Sequence, residues 1–117
     1  MATDDPTLTV APTGTSGLLQ VTVSSTWSNW DESDRAVLVG GYVTGVTEAG
    51  GTCTLTLTKD GDEVTGHSTA EPDASTTSCG DLRATGGALA PGEWTAVLGY
   101  SSDRAAGTSA PFTVVVP

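Results

Sequence analysis

Apolar and polar residues alternate with a period of two along much of this chain, which places successive side chains on opposite faces of extended strands. In Leu18–Thr26, Leu19, Val21 and Val23 share one face, while Gln20, Thr22 and Ser24 share the other. Arg35–Thr44 aligns Val37, Val39 and Val43. Thr52–Lys59 is the cleanest strand, with Cys53, Leu55 and Leu57 pointing one way and threonines the other. The Asp60-Gly61 dipeptide suits a tight hairpin, so Glu63–Ala70 is expected to return antiparallel. Thr76–Ala84 is a weaker strand carrying Cys79. Glu93–Ser101 aligns Trp94, Ala96, Leu98 and Tyr100, and Ser109–Val116 alternates through Phe112, Val114 and Val116.

The intervening stretches break the pattern. Trp27–Asp34 and Ser102–Gly107 read as loops, and Gly45–Gly51 and Pro72–Ser75 as turns. Residues 1–6 read as a disordered lead-in, Thr7–Val10 as a short strand, and Gly86-Gly87 as a break before Leu89. Seven to nine strands and no convincing helix predict an all-β sandwich or barrel, with residues 7–117 forming one domain.

Composition supports that class. The chain has 117 residues, the size of a single domain. It holds one Phe, one Met and three Trp, so its core must rest on Val, Leu and Ala with Trp as the large pieces. Abundant β-branched Thr suits pleated, half-exposed surfaces. Only four Lys and Arg stand against fourteen Asp and Glu, for a net charge of −10. Arg35, Lys59, Arg83 and Arg104 are isolated along the chain, whereas a phosphate backbone demands clustered cations, so neither nucleic acid nor an anionic membrane surface is expected as a partner. The charge itself reads as solubility and self-repulsion.

Cys53 and Cys79 are the only two cysteines. Zinc ligands come as close pairs, and one His does not complete a set for these two. A Cys53–Cys79 disulfide is the expected state, which implies an exported protein. Closing that ring stabilises by about 3–4 kcal/mol in the chain-entropy model. The first residues lack a basic region followed by an apolar run, and no stretch is long and apolar enough to span a membrane. If the protein is exported, this sequence is therefore expected to be a mature portion.

Leu89-Ala90-Pro91-Gly92-Glu93-Trp94 resembles the L-x-P-G-x-(aromatic) entry to the penultimate strand of bacterial immunoglobulin-like and fibronectin type III-like domains. Gly99-Tyr100-Ser101, Ala110–Pro117 and Gly51–Leu57 extend the resemblance, which is similar in style to domains of secreted actinobacterial proteins. It implies an Ig-like antiparallel β-sandwich in which Leu89, Pro91, Gly92 and Trp94 form a structural corner between the sheets. Those families usually carry Tyr at this corner; Trp94 can donate through its indole N–H but cannot accept. Antibody domains bracket a core Trp between their cysteines, and no Trp lies between Cys53 and Cys79. The bridge is accordingly expected near one end or edge of the sandwich. Cys79–Leu89 also resembles a stretch of secreted subtilisin-inhibitor-like proteins, although their second disulfide has no counterpart here.

Chemistry is sparse. His67, the single imidazole, lies in a polar strand with no nucleophile motif beside it, so no enzyme is expected. Asp31, Glu32 and Asp34, like Asp60, Asp62 and Glu63, lack the spacing of a calcium loop, and no metal or cofactor is expected. Trp27 and Trp30 beside these acids are the one unusual cluster. Exposed indoles stack on sugar rings or anchor protein interfaces, whereas buried ones would only fill the core. The expectation is a non-catalytic extracellular module, monomeric in isolation, serving as spacer or adhesion domain. The alternatives are a carbohydrate- or protein-binding module using Trp27, Trp30, Asp31, Glu32, Asp34 and Tyr42, and an inhibitor of secreted proteases.

Overall fold

The structure is a computed structural model that describes residues 18–86 and 89–117. The expectations for residues 1–6, Thr7–Val10 and Gly87 lie outside the described residues. Ten strands follow in order: β1 (Leu19–Gln20), β2 (Thr22–Asp31), β3 (Ala36–Thr44), β4 (Thr52–Lys59), β5 (Asp62–Thr69), β6 (Glu71–Asp73), β7 (Thr76–Thr85), β8 (Gly92–Ser101), β9 (Ala105–Thr108) and β10 (Phe112–Val116). They form two sheets packed as a sandwich. One has the order β1-β9-β8-β4-β5, with β10 also paired to β8, and the other β2-β3-β7-β6. All pairs are antiparallel except β1 with β9.

Where the sequence alternates without interruption, the sheet is regular. Cys53, Leu55 and Leu57 of β4 are buried opposite Tyr100, Leu98 and Ala96 of β8, and the β4–β5 and β4–β8 registers run without a shift. Asp60 and Gly61 have φ of 52° and 90°, the left-handed pair a two-residue hairpin requires, so Lys59 pairs directly with Asp62. Val37, Val39 and Val43 of β3, with Leu82 and Ala84 of β7, close the core from the other sheet. Each fully buried Leu or Val contributes about 1.5–3 kcal/mol relative to exposure.

Four expectations need correction. The segment read as a loop at Trp27–Asp34 is a strand as far as Asp31, and only Glu32–Arg35 forms the turn. Its alternation is hidden because the β2–β3 register shifts between Ser25 and Trp27. The extra residue, Thr26, swaps the inward set from odd to even positions. Ser102–Gly107 is likewise not all loop, since β9 begins at Ala105. Pro72–Ser75 turns only at Ala74-Ser75, because Glu71–Asp73 pairs with β7. With β1 and β9 counted, the described residues alone hold ten strands, against seven to nine expected for the chain.

The disulfide is present, joining Cys53 of β4 to Cys79 of β7 with their Cα atoms 5.7 Å apart. It therefore ties one sheet to the other. Cys53 is the second residue of β4, and Cys79 directly follows Ser78, the last residue of β7 that pairs with β6, so the bridge stands near an end of one strand and where the other is left with β3 alone beside it. β7 itself is not short: it is a ten-residue strand, paired with β3 as far as Thr85 and with β6 over Thr76–Ser78. Its pattern is blurred because Cys79 is itself the extra residue where the β3–β7 register shifts, with Gly41 opposite Gly80 and Tyr42 opposite Ser78.

Candidate binding surface

Both register shifts fall against Gly40-Gly41 in the middle of β3. On one side Thr26 is extra in β2, and on the other Cys79 is extra in β7. A Cβ on Gly41 would stand 2.6 Å from Leu98 Cδ1 of the facing sheet and 2.8 Å from the Ser24 carbonyl oxygen. The neighbouring backbone and core occupy that space, so glycine is required there. A Cβ on Gly40 would project from the opposite face, 2.2 Å from the Trp27 indole Nε1 and 2.6 Å from its Cε2. The indole thus leans across β3 into the room that Gly40 leaves.

Pairing fixes what shares that outer face. One cross-strand row is Trp27, Gly40 and Asp81, the next is Asn29, Leu38 and Arg83, and the row on the other side is Ser24, Tyr42, Ser78 and Glu71. Trp27 is 43% exposed and Tyr42 36%. At a diagonal cross-strand position their backbones lie about 7–8 Å apart. The result is two aromatic rings on the outside of a sheet whose inside is valine and leucine, ringed by amide, hydroxyl and charged groups.

The other residues expected at this site divide differently. Trp30 pairs with Val37 on the inward side and packs partly buried against the core. Its Nε1 donates to Glu32 Oε1 at 2.8 Å, and the Arg35 guanidinium lies 5.6 Å from its ring centre. Asp31 Oδ1 caps the turn by accepting from the Ser33 and Asp34 backbone N–H groups at 3.0 and 3.3 Å. Arg83 donates to Asp34 at 2.8 Å and approaches Asp31 at 3.8 Å, joining β7 to the β2–β3 turn. Trp27 and Tyr42 therefore come together on the sheet, while Trp30, Asp31, Glu32 and Asp34 organise its end. Asn29, Gly40, Asp81 and Arg83 completed the face unforeseen; the Gly-Gly pair inside a strand pattern was the available signal.

A second cluster lies at one end of the sandwich. The β3–β4 connection is held from one sheet by Thr77, whose hydroxyl donates to the Val46 carbonyl at 2.7 Å and accepts from the Glu48 N–H at 3.2 Å. From the other sheet, the Tyr100 and Ser102 hydroxyls both donate to Glu48 Oε2. Those hydrogen bonds, Ser102's first, hold the Glu48 carboxyl below the usual carboxylate range. Burial, and then the bond to Glu48, push the Tyr100 phenol above its usual value. Glu48, Ser102, Asp103 and Arg104 line a polar cleft of about 660 Å³ there.

At the corner, Leu89 is buried and Trp94 Nε1 donates to the Ala90 carbonyl at 2.9 Å, with Pro91 exposed and Gly92 at φ 133°. His67 is exposed on β5. Among the described residues, no three His, Cys, Asp or Glu side chains are grouped to hold a metal ion, and no helix is long and apolar enough to cross a membrane. Comparison with protein-family models, curated proteins and solved structures gives no match.

Proposed function

We propose that this chain is a non-catalytic, immunoglobulin-like module of an exported protein, acting as a spacer or adhesion domain. The observation that carries the reading is the Cys53–Cys79 bridge, fully buried between the two sheets. A bridge in that position stabilises only where thiols are oxidised, as outside the cell or in a periplasm. Strand order supports the immunoglobulin-like part. The order β2-β3-β7-β6 facing β9-β8-β4-β5 matches sheets ABED and GFCC′ of such sandwiches when β2 is taken as A. The bridge then joins C to E rather than B to F.

Free-thiol titration of protein secreted through an oxidising compartment, followed by thermal melts with and without reductant, tests the reading. The expected result is no free thiol and a melting temperature that falls on reduction. Free thiols in the folded secreted protein would overturn the exported module. Turnover of an ester, glycoside or peptide substrate that disappears in His67→Ala would overturn the non-catalytic part.

A further inference from the structure

From the outer face of β2-β3-β7-β6 we infer a binding site for an uncharged oligosaccharide or polysaccharide, with Trp27 and Tyr42 as its stacking platforms. This goes beyond the spacer reading and does not depend on it. Three features select the ligand.

The first is the attitude of Trp27. Because Gly40 has no side chain, the indole lies over the sheet, and 43% of the residue remains open to solvent. A ring held in this way offers a preorganised apolar surface, and the C–H face of a pyranose is its natural complement. Tyr42, one diagonal step away, lets a second sugar of the same chain find a ring.

The second is the polar surround. Asp81 and Ser78 flank the rings in the same cross-strand rows and Asn29 stands in the row next to Trp27, supplying donors and acceptors to sugar hydroxyls. Asn29 offers both, Asp81 accepts, and Ser78 does either.

The third is charge and area. Arg83, the cation of this face, is engaged by Asp34 and Asp31, leaving nothing to attract an anionic polymer in a chain of net charge −10. A stable protein partner needs about 800 Å² per side with an apolar centre. Here the exposed large apolar side chains of the face are Trp27 and Tyr42, enough to seat a sugar or two.

The experiment is native affinity electrophoresis of the whole chain in gels containing hydroxyethyl cellulose, a β-1,3-glucan, xylan or starch, with alginate and heparin as anionic comparators. The expected result is retardation by at least one uncharged polymer and by neither anionic one. Trp27→Ala and the gentler Trp27→Phe weaken it, the former about tenfold or more, and Tyr42→Ala weakens it several-fold. Val115→Ala, on the outer face of the other sheet, leaves it unchanged. Far-ultraviolet circular dichroism establishes that each variant is folded; if Trp27→Ala is not, Trp27→Phe and Tyr42→Ala carry the test. No retardation by any uncharged polymer, retardation that survives the Trp27 and Tyr42 changes, or retardation by the anionic polymers alone would each overturn the assignment. So would concentration-dependent self-association lost in Trp27→Phe, which would make the occupant a second copy of the chain. Loss of the sugar site would leave the thiol and melting results of the spacer proposal standing.

Discussion

The two outer faces of this sandwich are built on similar cores yet present opposite surfaces. On one, β4 carries Thr52, Thr54, Thr56 and Thr58 between β5 and β8 in unbroken register, a lawn of short hydroxyl side chains. On the other, two extra residues converge on Gly40-Gly41, and Trp27 and Tyr42 stand out. Across β5, β4 and β8 no register shifts, and the irregularity of that sheet is confined to its border, where Ser109–Pro111 separates β9 from β10 beside β8. The irregular face sacrifices side-chain volume at two glycines and gains an aromatic platform. The aromatic platform of the face proposed to bind thus coincides with the two register shifts against Gly40-Gly41.

The largest perturbation breaks what joins the faces. Replacing both cysteines by alanine is expected to cost about 3–4 kcal/mol in urea unfolding, because the bridge closes a long loop and ties β4 of one sheet to β7 of the other. Next comes the glycine pair. Gly41→Ala must displace Leu98 or the Ser24 backbone and should cost about 1–3 kcal/mol. Thr56→Ala on the regular face should stay within about 0.5 kcal/mol, measured in the same way. Equal losses at Gly41 and Thr56 would erase the contrast between the faces.

A smaller effect belongs to the end cluster. The Glu48 carboxyl is held below its ordinary range in the folded state, so its contribution is fully present above the ordinary glutamate pKa. That contribution is lost as pH falls through the lowered folded value. Wild type should therefore melt higher than Glu48→Gln at neutral pH, and the gap should narrow on acidification towards about pH 3. Tyr100 works in the opposite direction. Its raised value means its contribution is present below the ordinary phenol pKa and fades as pH rises through the folded value. A gap between wild type and Glu48→Gln that is constant across acid pH would sink the first of these.

How much of this was legible in the sequence follows the same division. β4, the hairpin at Asp60-Gly61 and the inward row Trp94, Ala96, Leu98 and Tyr100 could be read because each keeps a strict period of two. β2 past Ser25 and β7 around Cys79 could not, because one added residue reverses which parity faces the core. That reversal turned a strand into an apparent loop and made the ten-residue β7 look weak. It also hid that Trp27 and Trp30 lie on opposite sides of the sheet, with Tyr42 on the side of Trp27. The cysteines themselves were legible as a bridge. Their placement between the sheets required knowing which strands become neighbours.

The bridge also sets how far the domain can be stretched. If the proposed spacer were loaded through β1 and β10, the β10–β8 pairs and the parallel β1–β9 pairs would have to yield first. Once those contacts yield, the oxidised chain still withholds everything between Cys53 and Cys79. The cysteines are 26 positions apart, so roughly 90 Å of extension stays locked until the bond is reduced. Redox state would then decide how much slack one module can release under load.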